Sequence, residues 1–255
     1  PERGQLDLNR VHLKRVFNNG TFNEGGRFYG GWWQNIPKQY RQYIEIDFKG
    51  TREVDYSGLH IRMLYAMCNV QAPADPYYTA GIPREVQKTA MMILINANSA
   101  QSAINGLRKQ AISNPREVLS AVARDHPKIA SYFYSGIGIK LQFLDSCIAE
   151  QVLLATIKKG GIALPVHDSF IVRIGREREL QADMEAAFVQ MFPGQQAAMK
   201  SKESEEERQA RDRRERGEQE SDGFVSDDVE EVMGEELTKY SRYYAEEMKF
   251  RGTKR

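Results

Sequence analysis

Cysteine is nearly absent from this chain: 255 residues hold two, Cys68 and Cys147. Each lies in an apolar stretch of helical spacing, and neither has a partner at metal-ligand spacing. That excludes a disulfide-stapled secreted fold and a structural zinc site, and it predicts buried thiols in a reducing compartment. Long hydrophobic runs are missing as well. No stretch approaches the roughly 18 apolar residues of a membrane span, and no leader pattern opens the chain. A cytoplasmic protein with no membrane partner is the expectation. Strong net charge is also lacking, since the formal balance is +1. That balance hides an asymmetry: residues 1–199 carry 23 Lys and Arg against 18 Asp and Glu, while residues 200–255 carry 13 against 17. A mildly basic body permits a polyanionic partner without demanding one.

What is present divides the chain in three. With 41% hydrophobic residues and a mean hydropathy of −0.59, the chain has enough apolar side chains for one core and a polar remainder. Residues 1–199 read as a single α+β body. From Lys200 to Asp222, 16 of 23 residues are charged, so 200–225 read as a solvated helix or a linker. Residues 226–255 read as an amphipathic helix capped by Ser226-Asp227-Asp228, with Val229, Val232, Met233, Leu237, Tyr240, Tyr244 and Met248 at three- and four-residue spacing. A first residue of Pro rather than Met leads to the expectation of a fragment with further domains upstream.

Within the body, Leu6, Leu8, Val11, Leu13, Val16 and Phe17 predict a short helix or helix-turn over 3–19, ending at Asn18-Asn19-Gly20. Residues 25–43 combine glycines, aromatics, Arg27 and Gln34-Asn35-Ile36-Pro37. They read either as a surface loop whose Trp32 and Trp33 cover the core, or as the lining of a groove for phosphate, sugar and base. Ile44, Ile46 and Phe48 alternate with Glu45 and Asp47, Lys49-Gly50 turns the chain, and residues 51–56 alternate again. A hairpin therefore delivers Asp55 to a strand end, just before Ser57-Gly58 and a helix over 58–68. Taken alone, such an Asp more often caps a helix or faces water than binds metal.

After a Pro-containing connection, Pro83 and Arg84 open a helix to about residue 98. Arg84, Lys88, Met92 and Asn96 share one of its faces at i+4 steps. That face is either a solvated stripe or a receptor for polyphosphate at a helix N-terminus. Two or three short helices fill 101–134, a long helix runs over 139–158, and strands over 162–166 and 170–174 meet at His167-Asp168-Ser169. A tight turn ordinarily takes Asn-Gly or Asp-Gly, so His-Asp there is costly as turn chemistry and points to function. Residues 179–192 read as a closing helix.

Four of these features stand in a fixed order: Gln34-Asn35-Ile36-Pro37, then Asp55-Tyr56-Ser57 followed by a helix carrying Arg62, then Arg84 with Lys88, then His167-Asp168 in a hairpin turn. In this the chain resembles the core of family-A DNA polymerases and, secondarily, the single-subunit phage-type RNA polymerases, over about residues 25–192. The resemblance implies an antiparallel-sheet palm with packed helices and reduced helical fingers. It implies a template-directed nucleotidyltransferase that joins nucleoside triphosphates to a primer 3′ end through two Mg²⁺ ions, with Mn²⁺ as an alternative. Asp55 and Asp168 would hold metal together with the main-chain carbonyl of Tyr56. Arg84 and Lys88 would grip phosphates, Lys88 acting also in catalysis, with Met92 and His60 on the nucleotide. Arg27, Gln34, Asn96 and His167 would face primer and template.

The departures are specific. Ser169 follows the last Asp, as in the RNA enzymes, and His60 stands where the DNA enzymes place a Glu that blocks the 2′-hydroxyl. Met92 and Asn96 replace aromatic positions, while Asp145 and Glu150 replace Gln and Asp. His60 as a bulky gate favours deoxynucleotides. Only 113 positions separate Asp55 from Asp168, and a thumb has no evident place, so upstream domains or a partner would supply one. Such economy suits a phage or mobile-element protein in a bacterial cytoplasm. The rivals are an RNA polymerase or primase-like enzyme, an inactive nucleic-acid-binding module of the same fold, and a scaffold acting through the charged tail.

Overall fold

Alternating apolar residues open the sheet around which the described residues pack, seen here in a computed structural model that describes residues 7–202. Strand β3 (Glu45–Ile46) turns through Asp47 and Phe48, both with positive φ, into β4 (Lys49–Tyr56). The turn thus falls two residues before the Lys49-Gly50 expected from sequence. Both of its central residues lie in the left-handed region, which is the backbone twist that a two-residue hairpin requires. β5 (Ala163–Val166) and β6 (Ser169–Arg173) form a second hairpin around His167-Asp168. The two hairpins join through β4 and β6 in antiparallel register, Val54 opposite Phe170 and Asp55 opposite Ser169, giving the order β3-β4-β6-β5. A short strand, β7 (Met199–Ser201), pairs with Val54–Tyr56 on the other edge of β4.

One face of this sheet presents Val54, Tyr56, Phe170 and Val172, all buried in the main core. The helices α2 (Leu59–Met67), α3 (Arg84–Asn96), α4 (Ala100–Lys109), α5 (Pro115–Asp125), α6 (Gly138–Lys158) and α7 (Glu177–Met191) supply the rest of that core, including Met63, Leu64, Leu94, Leu141, Ile148 and Phe188. The opposite face carries a smaller cluster of Val166 and Ile171 with Trp33 and Ile44. Trp33 comes from α1 (Trp32–Asn35), and a 3₁₀ turn over Lys38–Tyr43 leads on to β3. Residues 25–43 therefore do cover core, with Trp33 buried and its indole N–H donated to Pro165 O at 3.0 Å.

The fold is α+β, with an antiparallel sheet and packed helices. Three expectations are corrected. No helix forms over 7–19; Lys14–Phe17 is strand β1, paired with β2 (Gly25–Tyr29) across a turn containing Asn19 and Gly20, both with positive φ. Asn-Gly ends helices but also makes hairpin turns, and here the strand partner decides between them. Cys68 and Cys147 are half-buried rather than buried. Finally, β7 carries ordered sheet to Ser201 and into the stretch read as linker, where Lys202 N–H still donates to Glu53 O at 2.8 Å. The remainder of 200–225 and the helix expected over 226–255 lie outside the described residues. Among the described residues no helix is long and apolar enough to cross a membrane.

Candidate active site

β4 and β6 bring two carboxylates to one end of the sheet. Asp55 is the penultimate residue of β4, Asp168 lies in the turn before β6, and Tyr56 N–H donates to Asp168 O at 3.1 Å, locking the two segments together. The Asp55 side chain is only 19% exposed. Burial first, and the neighbouring Asp168 second, push its carboxyl up to about 6. Asp168 is reached through a strained turn, since His167 has φ 59 where glycine is usual. The His167 ring packs edge-on against Tyr29 at 5.7 Å, and burial, then the Arg27 charge, lower its pKa.

A second cluster closes one side of this end. Arg27 on β2 bonds both oxygens of Asp145 on α6, and His60 on α2 approaches Asp145 Oδ2 at 2.9 Å and Arg27 Nη2 at 3.3 Å. The Asp145 side chain is 2% exposed, so its charge is met by the guanidinium rather than by water. Asp168 also acts on Arg27, which places this cluster beside the acid pair. Gln34 spends its carboxamide on main chain: its Nε2 donates to Phe28 O and Pro165 O, and its Oε1 accepts from Gly30 N–H.

The other side is built from residues 74–84. Gly58 has φ 67, and a Cβ there would meet Pro76 at 2.9 Å, so the bare backbone lets the 75–77 loop close over the start of α2. Arg62 holds that loop from beneath, donating to Ser57 O at 2.9 Å and Ala74 O at 3.0 Å. The loop brings in Tyr77, whose phenol is raised by burial first and then by Asp168, with Asp55 contributing. Arg84 lies over the Tyr77 ring at 5.3 Å and pairs with Asp75 at 3.0 Å. Lys88, one turn on, pairs with Glu85 at 2.7 Å. A cavity of about 390 Å³ opens here, lined by Asp75, Tyr77, Tyr78, Ile82 and Arg84 among others.

The sequence-selected residues thus divide. Asp55, Tyr56, Asp168, His167, Arg27 and His60 form one neighbourhood, and Arg84 connects to it through Tyr77. Lys88 shares Arg84's side of α3 and helps Arg84 hold the Asp75 carboxyl below its usual range, a shift caused first by the Arg84 hydrogen bond. Asn96 lies about 18 Å along the helix from Arg84; its amide donates to Met92 O at 2.7 Å, and its oxygen fills the space beside Gly138 on α6. Met92 is half exposed. Sequence reasoning did not assign roles to Glu53, Tyr77, Lys200 or Lys202, and it noted Asp145 only as a departure. Glu53 was visible as the alternate residue before Asp55 on one strand face; the lysines depend on β7, which has no local signal.

Among the described residues no group of three or more His, Cys, Asp or Glu side chains converges to hold a metal. Two carboxylates with main-chain oxygen beside them suit Mg²⁺, which keeps water and takes substrate phosphate as further ligands. Burial first and Asp168 second raise the Asp55 carboxyl, and a cation held by these acids would offset both effects.

No family model matches the chain, and no curated protein matches it in sequence. Among solved structures it is similar to the POL domain of Pol1 from M. smegmatis, in a complex with DNA primer-template and dNTP, at 13% identity and a TM-score of 0.40 over 77% of this chain. The chain spans about half the length of that polymerase domain, 49% of it.

Proposed function

We propose that this chain is the nucleotide-joining core of a template-directed nucleotidyltransferase of the DNA polymerase kind. The observation that carries the reading is the pair Asp55 and Asp168, brought together at the end of β4 and β6, where burial first and Asp168 second push the Asp55 carboxyl up to about 6. Two Mg²⁺ ions, when bound, supply activation of a primer 3′-hydroxyl and a hold on the departing pyrophosphate. Asp55, Asp168 and the Tyr56 carbonyl are the oxygens offered to them. The 3′-oxygen would bond the α-phosphorus as the bond to pyrophosphate breaks. Arg84 would meet the negative charge of the leaving group by exchanging Asp75 for phosphate, with Lys88 next along the same side.

His60 is held by Asp145, so its ring is a fixed wall rather than a mobile one, and it would exclude a 2′-hydroxyl from the sugar position. Arg27 and Gln34, already committed to Asp145 and to main chain, shape the surface against which a duplex would lie, and His167 would steady the primer end. Asn96 and Met92 mark the outer end of the nucleotide face.

Primer extension on a primed template with Mg²⁺ or Mn²⁺, given deoxynucleotides or ribonucleotides separately, tests this. Incorporation by the wild type and none by Asp55→Ala or Asp168→Ala is expected, with melting temperatures retained. Activity surviving in either variant would refute the assignment. Duplex binding without incorporation by the wild type would identify a binding module instead.

A further inference from the structure

Edge strand β7 sets lysines against the acid row of β4. Lys200 lies directly across from Asp55 in the antiparallel register, and Lys202 follows two positions on, beside Glu53. Residues opposed across a ladder or two apart along a strand share a face, so two ammonium groups meet two carboxylates on the same side of the sheet. The two pairs are not equivalent. Lys202 is bonded to the Glu53 carboxylate, which also accepts Ser169 Oγ–H at 2.5 Å and has Arg41 at 3.7 Å, so this group is fixed. Lys200 Nζ stands 3.9 Å from Asp55 Oδ2, beyond hydrogen-bond length, and its side chain is 62% exposed. Strand register holds Lys200 near Asp55; no hydrogen bond between the two does. An ammonium on a flexible four-carbon stem can leave such a position into water at little cost.

We propose that Lys200 is the resident counter-cation of Asp55. It shields the carboxylate pair while no divalent cation is present, is displaced into solvent when one enters, and so sets the cation concentration at which the site fills. The proposal rests on the reading of Asp55 and Asp168 as a divalent-cation site. Lys202 bears on Asp55 more strongly than Lys200 does, but its bond to Glu53 makes its effect constant. Lys200 is the movable charge, and a doubly charged ion beside Asp55 would repel it from the place it now occupies.

The test is Mn²⁺ binding to the full chain without nucleotide, read from the electron paramagnetic resonance signal of free Mn²⁺ at low ionic strength. Wild type, Lys200→Gln, Lys200→Arg, Asp55→Asn and the double variant Lys200→Gln/Asp55→Asn are compared. Lys200→Gln should bind Mn²⁺ roughly fivefold more tightly, from the removal of one nearby positive charge in a largely solvated setting. Lys200→Arg should match the wild type, and 0.5 M salt should erase the difference through screening. Damage to β7 would weaken binding or lower the melting temperature, so tighter binding cannot come from misfolding. Unchanged or weaker binding by Lys200→Gln, or tightening that persists in the double variant, overturns the proposal. If wild-type binding is lost in Asp55→Asn while Lys200→Gln equals the wild type, the lysine proposal falls and the cation-site reading stands. If the wild type binds no more Mn²⁺ than Asp55→Asn, both fall.

Discussion

Asp55 and Asp145 are both carboxylates drawn inside the protein, and the chain treats them oppositely. Asp145, 2% exposed, is met by the Arg27 guanidinium and by His60, three side chains from three elements that satisfy one another. Asp55, 19% exposed, is faced instead by a second carboxylate, while Lys200 stands at 3.9 Å without bonding it. An interior acid matched by the protein's own cation belongs to the framework. An interior acid set against another acid raises the free energy of the folded state and calls for a cation from outside. The same sheet end thus carries a finished ion cluster and an unfinished one, and the unfinished one is where chemistry is assigned.

The largest test of that contrast is Asp145→Ala. It leaves Arg27, itself only 19% exposed, without its partner, and should cost about 3 kcal/mol in urea unfolding. The paired replacement Arg27→Met with Asp145→Leu should recover most of the loss, because removing both charges removes the desolvation cost as well. A neutral Asp145→Ala would show that the cluster is not framework and would dissolve the distinction.

Asp55→Asn should act in the opposite direction. A carboxyl held near 6 in the folded state and near 3.9 when unfolded keeps its proton more tightly when folded. The stability this confers is complete below about pH 4 and is lost as pH rises through 6. In metal-free protein at pH 7, Asp55→Asn should therefore be more stable than wild type by on the order of 1 kcal/mol, after discounting for partial solvation. The difference between the two should shrink toward zero as pH falls from 7 to 4, measured by chemical unfolding at each pH. A gap that does not vary with pH would mean that burial and Asp168 together do not hold the Asp55 carboxyl above its unfolded value.

Where structure was local, sequence showed it. The hairpin over 45–56 follows from alternation, that over 163–173 from two short strands joined at His167-Asp168-Ser169, α2, α6 and α7 from helical spacing, and the shared face of Arg84, Lys88, Met92 and Asn96 from i+4 steps that lie on the less buried side of α3. The pairing of Asp55 with Asp168 was legible only through an ordered set of motifs, since nothing in either segment states that residues 113 positions apart meet. Asp145 failed that route altogether: its bond to Arg27 spans 118 positions, and its meaning lies in the partner. β7 was hidden for a different reason. Three residues beside a charged run carry no periodic signal, and their strand conformation comes from the free edge of β4. The N-terminal strand was misread because Asn-Gly serves two local structures and only the Gly25–Tyr29 partner separates them.

The smallest expected effect on stability, and the sharpest on function, is at Arg84. Its bond to Asp75 is an ion pair whose two side chains are 49% and 45% exposed, the solvated counterpart of Arg27 with Asp145. Exposed pairs contribute little because water and salt compete for both partners, so Arg84→Ala should shift unfolding by no more than about 0.5 kcal/mol. That weakness suits the proposed role, in which Arg84 would change partners: giving up Asp75 for a phosphate would cost little where giving up Asp145 would cost much. Binding of a deoxynucleoside triphosphate, followed by fluorescence of a labelled analogue, should therefore weaken at least tenfold in Arg84→Ala and remain nearly unchanged in Asp75→Asn, which leaves the guanidinium in place and unpaired. Equal loss in both variants would make the pair itself the functional unit. Unchanged binding in both would remove Arg84 from the site and leave the N-terminal turn of α3 as surface.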